Sequence, residues 1–188
     1  MEKLETSEII VELRIGLSDG LIPPGTPLGK ALGNVHPEAL GAEIDGKILG
    51  LEDPVYQSGI YKILTSRSPR ARELLWHTAS HILAQAVLRL YPHAKLGIGP
   101  AIKDGFYYDF DFGTPISSDD LPRIESEMRR EVEENYPLIR NEISREEALN
   151  YFQERGQIYK VELIHELDST ITTYSQAEFT DLCKGPHL

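Results

Sequence analysis

The polar break Thr65-Ser-Arg-Ser-Pro-Arg70 separates two stretches of different periodicity, and no other feature of the chain restricts its fold as strongly. Ahead of it, short apolar runs alternate with turn residues. Behind it, the stretch from about Pro69 to Leu90 carries no glycine and has apolar residues at helical spacing, until Pro92 stops it. The boundary is therefore placed at this break, giving domains over residues 1–66 and 67–188, for which the length suffices.

The first stretch reads as strand Ile9–Ile15, a turn at Ser18-Asp-Gly20, and a short helix through Leu32 with Thr26 as N-cap and Pro27 as first helical residue. Ala42–Leu49 reads as a hairpin turning at Asp45-Gly46, and Gly59–Leu64 as a closing strand. The order β–β–α–β–β suits a small β-grasp fold.

The long helix of the second stretch has an apolar stripe of Ala71, Leu75, Ala79, Ile82, Ala86 and Leu90, with His77 and His81 nearly opposite, beside Ala84 and Leu88. Lys95–Ile102 and Gly105–Asp111 read as adjacent strands, with Phe106, Tyr108 and Phe110 on one face of the second. Ser118 is the expected N-cap of a helix through Asn135. Ser144-Arg-Glu-Glu147 is a capping box for a helix ending at Gly156. Ile158–Ile164 reads as a further strand, and a loop leads to Phe179–Cys183. The class is α+β, with a central antiparallel sheet and a long histidine-bearing helix.

Two spaced pairs, His77-Thr-Ala-Ser-His81 and Cys183-Lys-Gly-Pro-His187, hold three of the six histidines and the only cysteine. Residues i and i+4 of a helix share a face, so His77 and His81 can aim two imidazoles into one cleft. Three imidazoles and a thiolate suit tetrahedral zinc. The same groups can act without metal, imidazole serving as base or hydrogen-bond partner to a water. Against these stand blander roles: a lone helical histidine is usually packing or surface, a buried cysteine a small hydrophobe, and a penultimate residue frayed.

The net charge of −11 argues against a generic nucleic-acid binder, yet Asp119–Glu147 alone contributes ten acidic residues against five arginines. Arg89, Lys95, Lys103, Lys160 and Lys184 remain as candidates for local phosphate contact. One cysteine excludes an internal disulfide and suits a reducing compartment. With no long apolar run and a polar, acidic Met1–Glu8, a cytoplasmic protein without membrane association is expected.

His77-Thr-Ala-Ser-His81, Gly97-Ile-Gly-Pro-Ala-Ile-Lys-Asp-Gly-Phe-Tyr-Tyr-Asp109, Tyr159-Lys160 and Asp181-Leu-Cys-Lys-Gly-Pro-His187, in this order, closely resemble the N-terminal region of bacterial threonyl-tRNA synthetases. Residues 1–66 resemble the TGS domain, a β-grasp module, that opens those enzymes. The two spaced pairs also resemble the editing domains of alanyl-tRNA synthetases and their free-standing relatives.

The resemblance implies a proofreading hydrolase. A site that accepts threonine discriminates against serine, one methyl smaller, by only about 1–3 kcal/mol, so a second, hydrolytic sieve removes the error. In the family that sieve follows the TGS domain and hydrolyses seryl-tRNA(Thr). By motif position, His77, His81, Cys183 and His187 line the site, Lys160 and Asp181 take part in editing, and Tyr108 contacts substrate. His77 or Lys160 is expected to position the water, and Asp181 and Cys183 to orient the seryl group. No cofactor is required on this reading; zinc, if bound, would take His77, His81, Cys183 and His187. The implied partners are tRNA(Thr) and the remainder of a longer, homodimeric synthetase, whose ligase domain and final editing segment lie outside these residues, so no aminoacylation is expected. The alternatives are a free-standing zinc-dependent deacylase of the alanyl type and a non-catalytic TGS module that binds RNA or protein.

Overall fold

A computed structural model describes residues 9–33, 36–168 and 170–188. The described residues form two compact units, one running to Leu75 and including Gly185–Leu188, the other Trp76–Lys184. Both mix helices with small antiparallel sheets, so the α+β class expected from sequence is found.

The elements of the first unit are β1 (Ile10–Leu13), β2 (Thr26–Pro27), α1 (Leu28–Leu32), β3 (Gly41–Ile44), β4 (Lys47–Gly50), β5 (Pro54–Val55) and β6 (Gly59–Leu64). Four strands make an antiparallel sheet in the order β1-β6-β3-β4. Asp45 and Gly46 both take left-handed backbone (φ 49° and 78°), the geometry a two-residue hairpin needs, so β3 turns into β4 where the sequence indicated. The inward faces bury Leu13, Ala42, Ile44, Tyr61 and Ile63 beneath Leu28 and Leu32 of α1. That helix starts one residue later than expected: Thr26 donates its hydroxyl to the Pro23 carbonyl instead of capping, and Pro27 occupies the cap position. A second apolar group joins Leu64, Ala71 and Leu74 with Leu40, Ile48 and Leu188.

Helix α2 spans Ala71–Leu90. The second unit continues with β7 (Lys95–Leu96), β8 (Ala101–Ile102), β9 (Gly105–Phe106), β10 (Phe110–Asp111), α3 (Leu121–Glu134), β11 (Ile139–Ile143), α4 (Arg145–Glu154), α5 (Ile158–Glu166), β12 (Ile171–Gln176) and β13 (Phe179–Leu182). The two expected strands between 95 and 111 are present as two-residue ladders, β7 with β10 and β8 with β9, bridged by backbone bonds between Gly97, Ile98 and Asp109. The sheet of this unit is β11-β12-β13, antiparallel.

Three expectations are corrected. Ile158–Ile164 is helix, not strand: Lys160 and Ile164 are buried one turn apart, and Val161 packs beside Ile164 against Phe152 of α4. Gly156, at φ 65°, reverses the chain between the two helices, and buried Gln157 pins the start of α5 to the Leu96 amide and the Ala94 carbonyl. The cap before α3 is Ser117, one residue earlier than expected, paired with Asp120 in a capping box over a 3-10 turn. Leu75, assigned to the buried stripe of α2, is 51% exposed, while Leu74 is fully buried. The capping box at Ser144 and Glu147 opens α4 as expected.

Candidate functional site

Helix α2 carries His77 and His81 on one face, their rings edge-to-face with centroids 5.4 Å apart. The hairpin β12–β13 brings Asp181 and Cys183 to them: Cys183 Sγ lies 3.2 Å from His77 Nε2, and Asp181 Oδ2 lies 3.7 Å from His81 Nε2. The hairpin end is fixed by two bonds across the strands, from the Cys183 amide to the Thr172 carbonyl and from the Thr172 hydroxyl to the Cys183 carbonyl. Two pieces widely separated in sequence thus meet as the motif reading required.

Helix α5 contributes Lys160, whose ammonium sits 2.6 Å from Asp181 Oδ1 and donates to the Tyr108 hydroxyl at 3.1 Å. That hydroxyl donates to Asp181 Oδ2 at 2.6 Å, and the Leu182 amide donates to Oδ1 at 2.8 Å. The Asp181 carboxylate therefore accepts from an ammonium, a phenol and a backbone amide, the satisfaction a buried charge requires. Tyr108 is stacked on Phe110, centroids 4.8 Å apart, as their shared face on the strand suggested.

Burial shapes the protonation of the set. Desolvation, followed by the proximity of His77 and of Lys160, holds His81 well below the ordinary histidine value, so its ring is neutral. Desolvation and the Asp181 charge push Tyr108 well above the ordinary phenol value, so it stays a hydrogen-bond donor.

Sequence reading missed the supports of this site. Ser80, between the two histidines, has its hydroxyl oxygen 2.7 Å from the carbonyl oxygens of both His77 and Gly99, which share its one hydrogen. Gly99 lies under Tyr108: a Cβ there would fall 2.1 Å from the tyrosine ring. The small residue within Gly97-Ile-Gly99 was the only local signal. Of the five cations proposed for phosphate contact, Lys160 is spent on Asp181, Arg89 on a set of glutamates and Lys95 on Asp111 at 3.5 Å. His93 and His165 are exposed, in keeping with their assignment to the surface. His187 is buried in the first unit, where its backbone lies against Gly50.

Within the second unit, His77, His81 and Cys183 offer ligand atoms within 4.8 Å of one another, a His/Cys group that could hold a metal ion. Ligand atoms around one zinc lie roughly 3.3–3.8 Å apart, so the donor types fit and the His77–Cys183 pair is already near that spacing. A neutral His81 also suits a ligand.

No family model matches the chain. Threonine–tRNA ligase of Halalkalibacterium halodurans is 43% identical over 187 residues, covering 94% of the chain and 29% of the ligase. That of Syntrophomonas wolfei is 45% identical over 185 residues, covering 94% and 29%. That of Acetivibrio thermocellus is 49% identical over 152 residues, covering 80% and 24%. The chain spans less than a third of the length of these curated relatives. At such identity, along nearly all of its own length, it matches a piece of a bacterial threonyl-tRNA synthetase.

Proposed function

We propose that the chain is the proofreading region of a threonine–tRNA ligase, in which the unit Trp76–Lys184 hydrolyses the ester of seryl-tRNA(Thr). Residues 1–66 are read as its TGS-like β-grasp domain and 67–188 as the editing domain, acting in the cytoplasm on tRNA(Thr) as part of a longer, dimeric chain. The observation that carries this reading is the convergence on Asp181 of groups from three distant motif blocks: Lys160 at 2.6 Å, Tyr108 at 2.6 Å and His81 at 3.7 Å. Buried polar networks of this kind cluster at functional sites.

Hydrolysis requires a water oxygen to add to the ester carbonyl carbon, the bond from that carbon to the ribose oxygen to break, and a proton to reach the ribose oxygen. Lys160 Nζ is held between Asp181 Oδ1 and the Tyr108 hydroxyl, so its hydrogen bonds are committed within this network. His77, half-buried and facing the Cys183 thiol, is the group left to position the water. Asp181 and Cys183 orient the seryl amine and hydroxyl. Exclusion of threonine is steric, the pocket refusing one added methyl.

A second reading is a zinc-dependent deacylase of the alanyl type, favoured by the His/Cys group. One experiment addresses both: deacylation of seryl-tRNA(Thr) beside threonyl-tRNA(Thr), with and without a chelator. Selective hydrolysis of the seryl ester that survives chelation supports the first reading. Stoichiometric zinc lost together with activity supports the second, and tRNA binding without hydrolysis defeats both.

A further inference from the structure

Remote from the histidines, Arg89 on the last turn of α2 reaches Glu178 in the turn of the β12–β13 hairpin, with Nε–Oε1 at 2.6 Å and Nη2–Oε2 at 3.2 Å. The same guanidinium reaches Glu127 at 3.1 Å and Glu134 at 2.9 Å on α3. Gln85, one turn earlier on α2 and fully buried, donates to Glu178 at 3.2 Å and lies 3.5 Å from the Gln176 carbonyl. A two-pronged ion pair fixes direction as well as distance, because both N–H bonds of the planar fork must meet both carboxylate oxygens. Nothing in the hydrolytic network needs these groups.

Their placement gives them a use. Helix α2 carries His77 and His81, and the hairpin held by Arg89 carries Asp181 on its following strand and Cys183 directly after that strand. The His77–Cys183 and His81–Asp181 separations thus depend on how the hairpin is seated along the helix. The geometry points to Arg89 and Glu178 as positioning residues that set the register between the histidine helix and the β13 segment that presents Asp181 and Cys183. Gln85 shares the task through the Gln176 carbonyl and Glu178. This rests on the proofreading role for its catalytic consequence, and on geometry alone for its structural one.

The test is a double-mutant cycle of Arg89→Met and Glu178→Gln in the full chain, with Arg89→Lys as the conservative variant and Arg129→Met as a control. Among the described residues Arg129 pairs with Glu125, on the exposed face of α3. Because Cys183 is the sole cysteine, its rate of modification by a thiol reagent reports the seating of the hairpin without reference to catalysis. Each single variant is expected to raise that rate severalfold and to lower kcat for seryl-tRNA(Thr) by about ten- to a hundredfold, with KM little changed. The double variant should be no worse than either single. Arg89→Lys, which keeps the charge and loses the fork, should fall between wild type and Arg89→Met. Folded variants with unchanged thiol reactivity, or effects that simply add, would overturn the proposal. If the wild-type chain does not deacylate seryl-tRNA(Thr), the proofreading reading fails, while the thiol cycle still decides the positioning claim.

Discussion

Lys160 Nζ stands 2.6 Å from Asp181 Oδ1, and each of the two side chains is 2% exposed. Removing one partner strands the other charge in a nearly dry interior, which costs about 3–5 kcal/mol, whereas replacing both by apolar groups of similar volume is often close to neutral. Lys160→Met and Asp181→Leu should therefore each destabilise by an amount in that range, and the double variant should recover most of the loss. Urea unfolding of the four proteins checks this. All three variants should lose seryl-tRNA(Thr) hydrolysis, so stability and activity would part company in the double.

Gly99→Ala should act on the same network from below. The added Cβ would lie 2.1 Å from a Tyr108 ring carbon, so the ring must move, and with it the hydroxyl that donates to Asp181. Overpacking of this kind costs about 1–3 kcal/mol. The expected outcome is a lowered unfolding midpoint together with a fall in kcat that Gly97→Ala does not match in kind. At Gly97 the obstacle is Asp109, outside the network.

Much of the site could be read from sequence because its chemistry sits in short, spaced pairs. The i, i+4 histidines needed only a helix, and the unbroken run 71–90 supplied it. The Asp45-Gly46 hairpin and the Ser144 capping box were legible for the same reason: each is local and its residues have few other uses. What was missed depends on partners far away in sequence. Ile158–Glu166 alternates apolar and polar residues well enough for a strand, and only packing against α4 and the Gln157 clamp to Leu96 and Ala94 decides for helix. Strand β12, Ile-Thr-Thr-Tyr-Ser-Gln, looks like loop because its buried positions include Thr173 and Gln176, which pairing between β11 and β13 places in the interior. The Arg89–Glu178 contact joins residues eighty-nine apart with no motif to announce it.

His81 should make folding sensitive to acid. Its folded value lies well below the ordinary 6.5, through burial first and then the nearness of His77 and Lys160. Above pH 6.5 neither the folded nor the unfolded chain protonates this ring, so its contribution is fully present. Below it the unfolded chain takes up a proton that the folded chain refuses, and stability falls by up to about 1.4 kcal/mol per pH unit. Urea midpoints measured from neutral pH downward should show this slope in wild type and lose it in His81→Gln.

Gly50→Ala tests the seating of the C-terminal turn on the first unit. A Cβ at Gly50 would lie 2.1 Å from the His187 carbonyl oxygen, which belongs to backbone and cannot rotate away as a side chain would. The turn must shift, and His187 with it. The urea unfolding midpoint should fall and the amides of the 185–188 turn should exchange faster, while Gly46→Ala, whose Cβ meets nothing within 4 Å, costs stability through its φ of 78° but leaves exchange in the turn unchanged. Equal exchange in the two variants would deny the contact any role.

Glu131 should give the opposite pH dependence to His81. It is 1% exposed on α3, and burial pushes its carboxyl up to about 8, with Arg89 pulling the other way and Glu127, Glu178 and Glu134 adding to the rise. The folded chain keeps a proton that the unfolded chain releases near 4.5, so this group's contribution is whole below 4.5 and is lost as pH climbs toward 8. Glu131→Gln keeps the shape and cannot ionise. Its unfolding free energy should match wild type below about pH 4.5, exceed it increasingly from there to about pH 8, and keep a constant lead above that. A difference between the two proteins that does not change with pH would mean that Glu131 is ionised in the fold, with Arg89, 3.8 Å away, as its counter-charge.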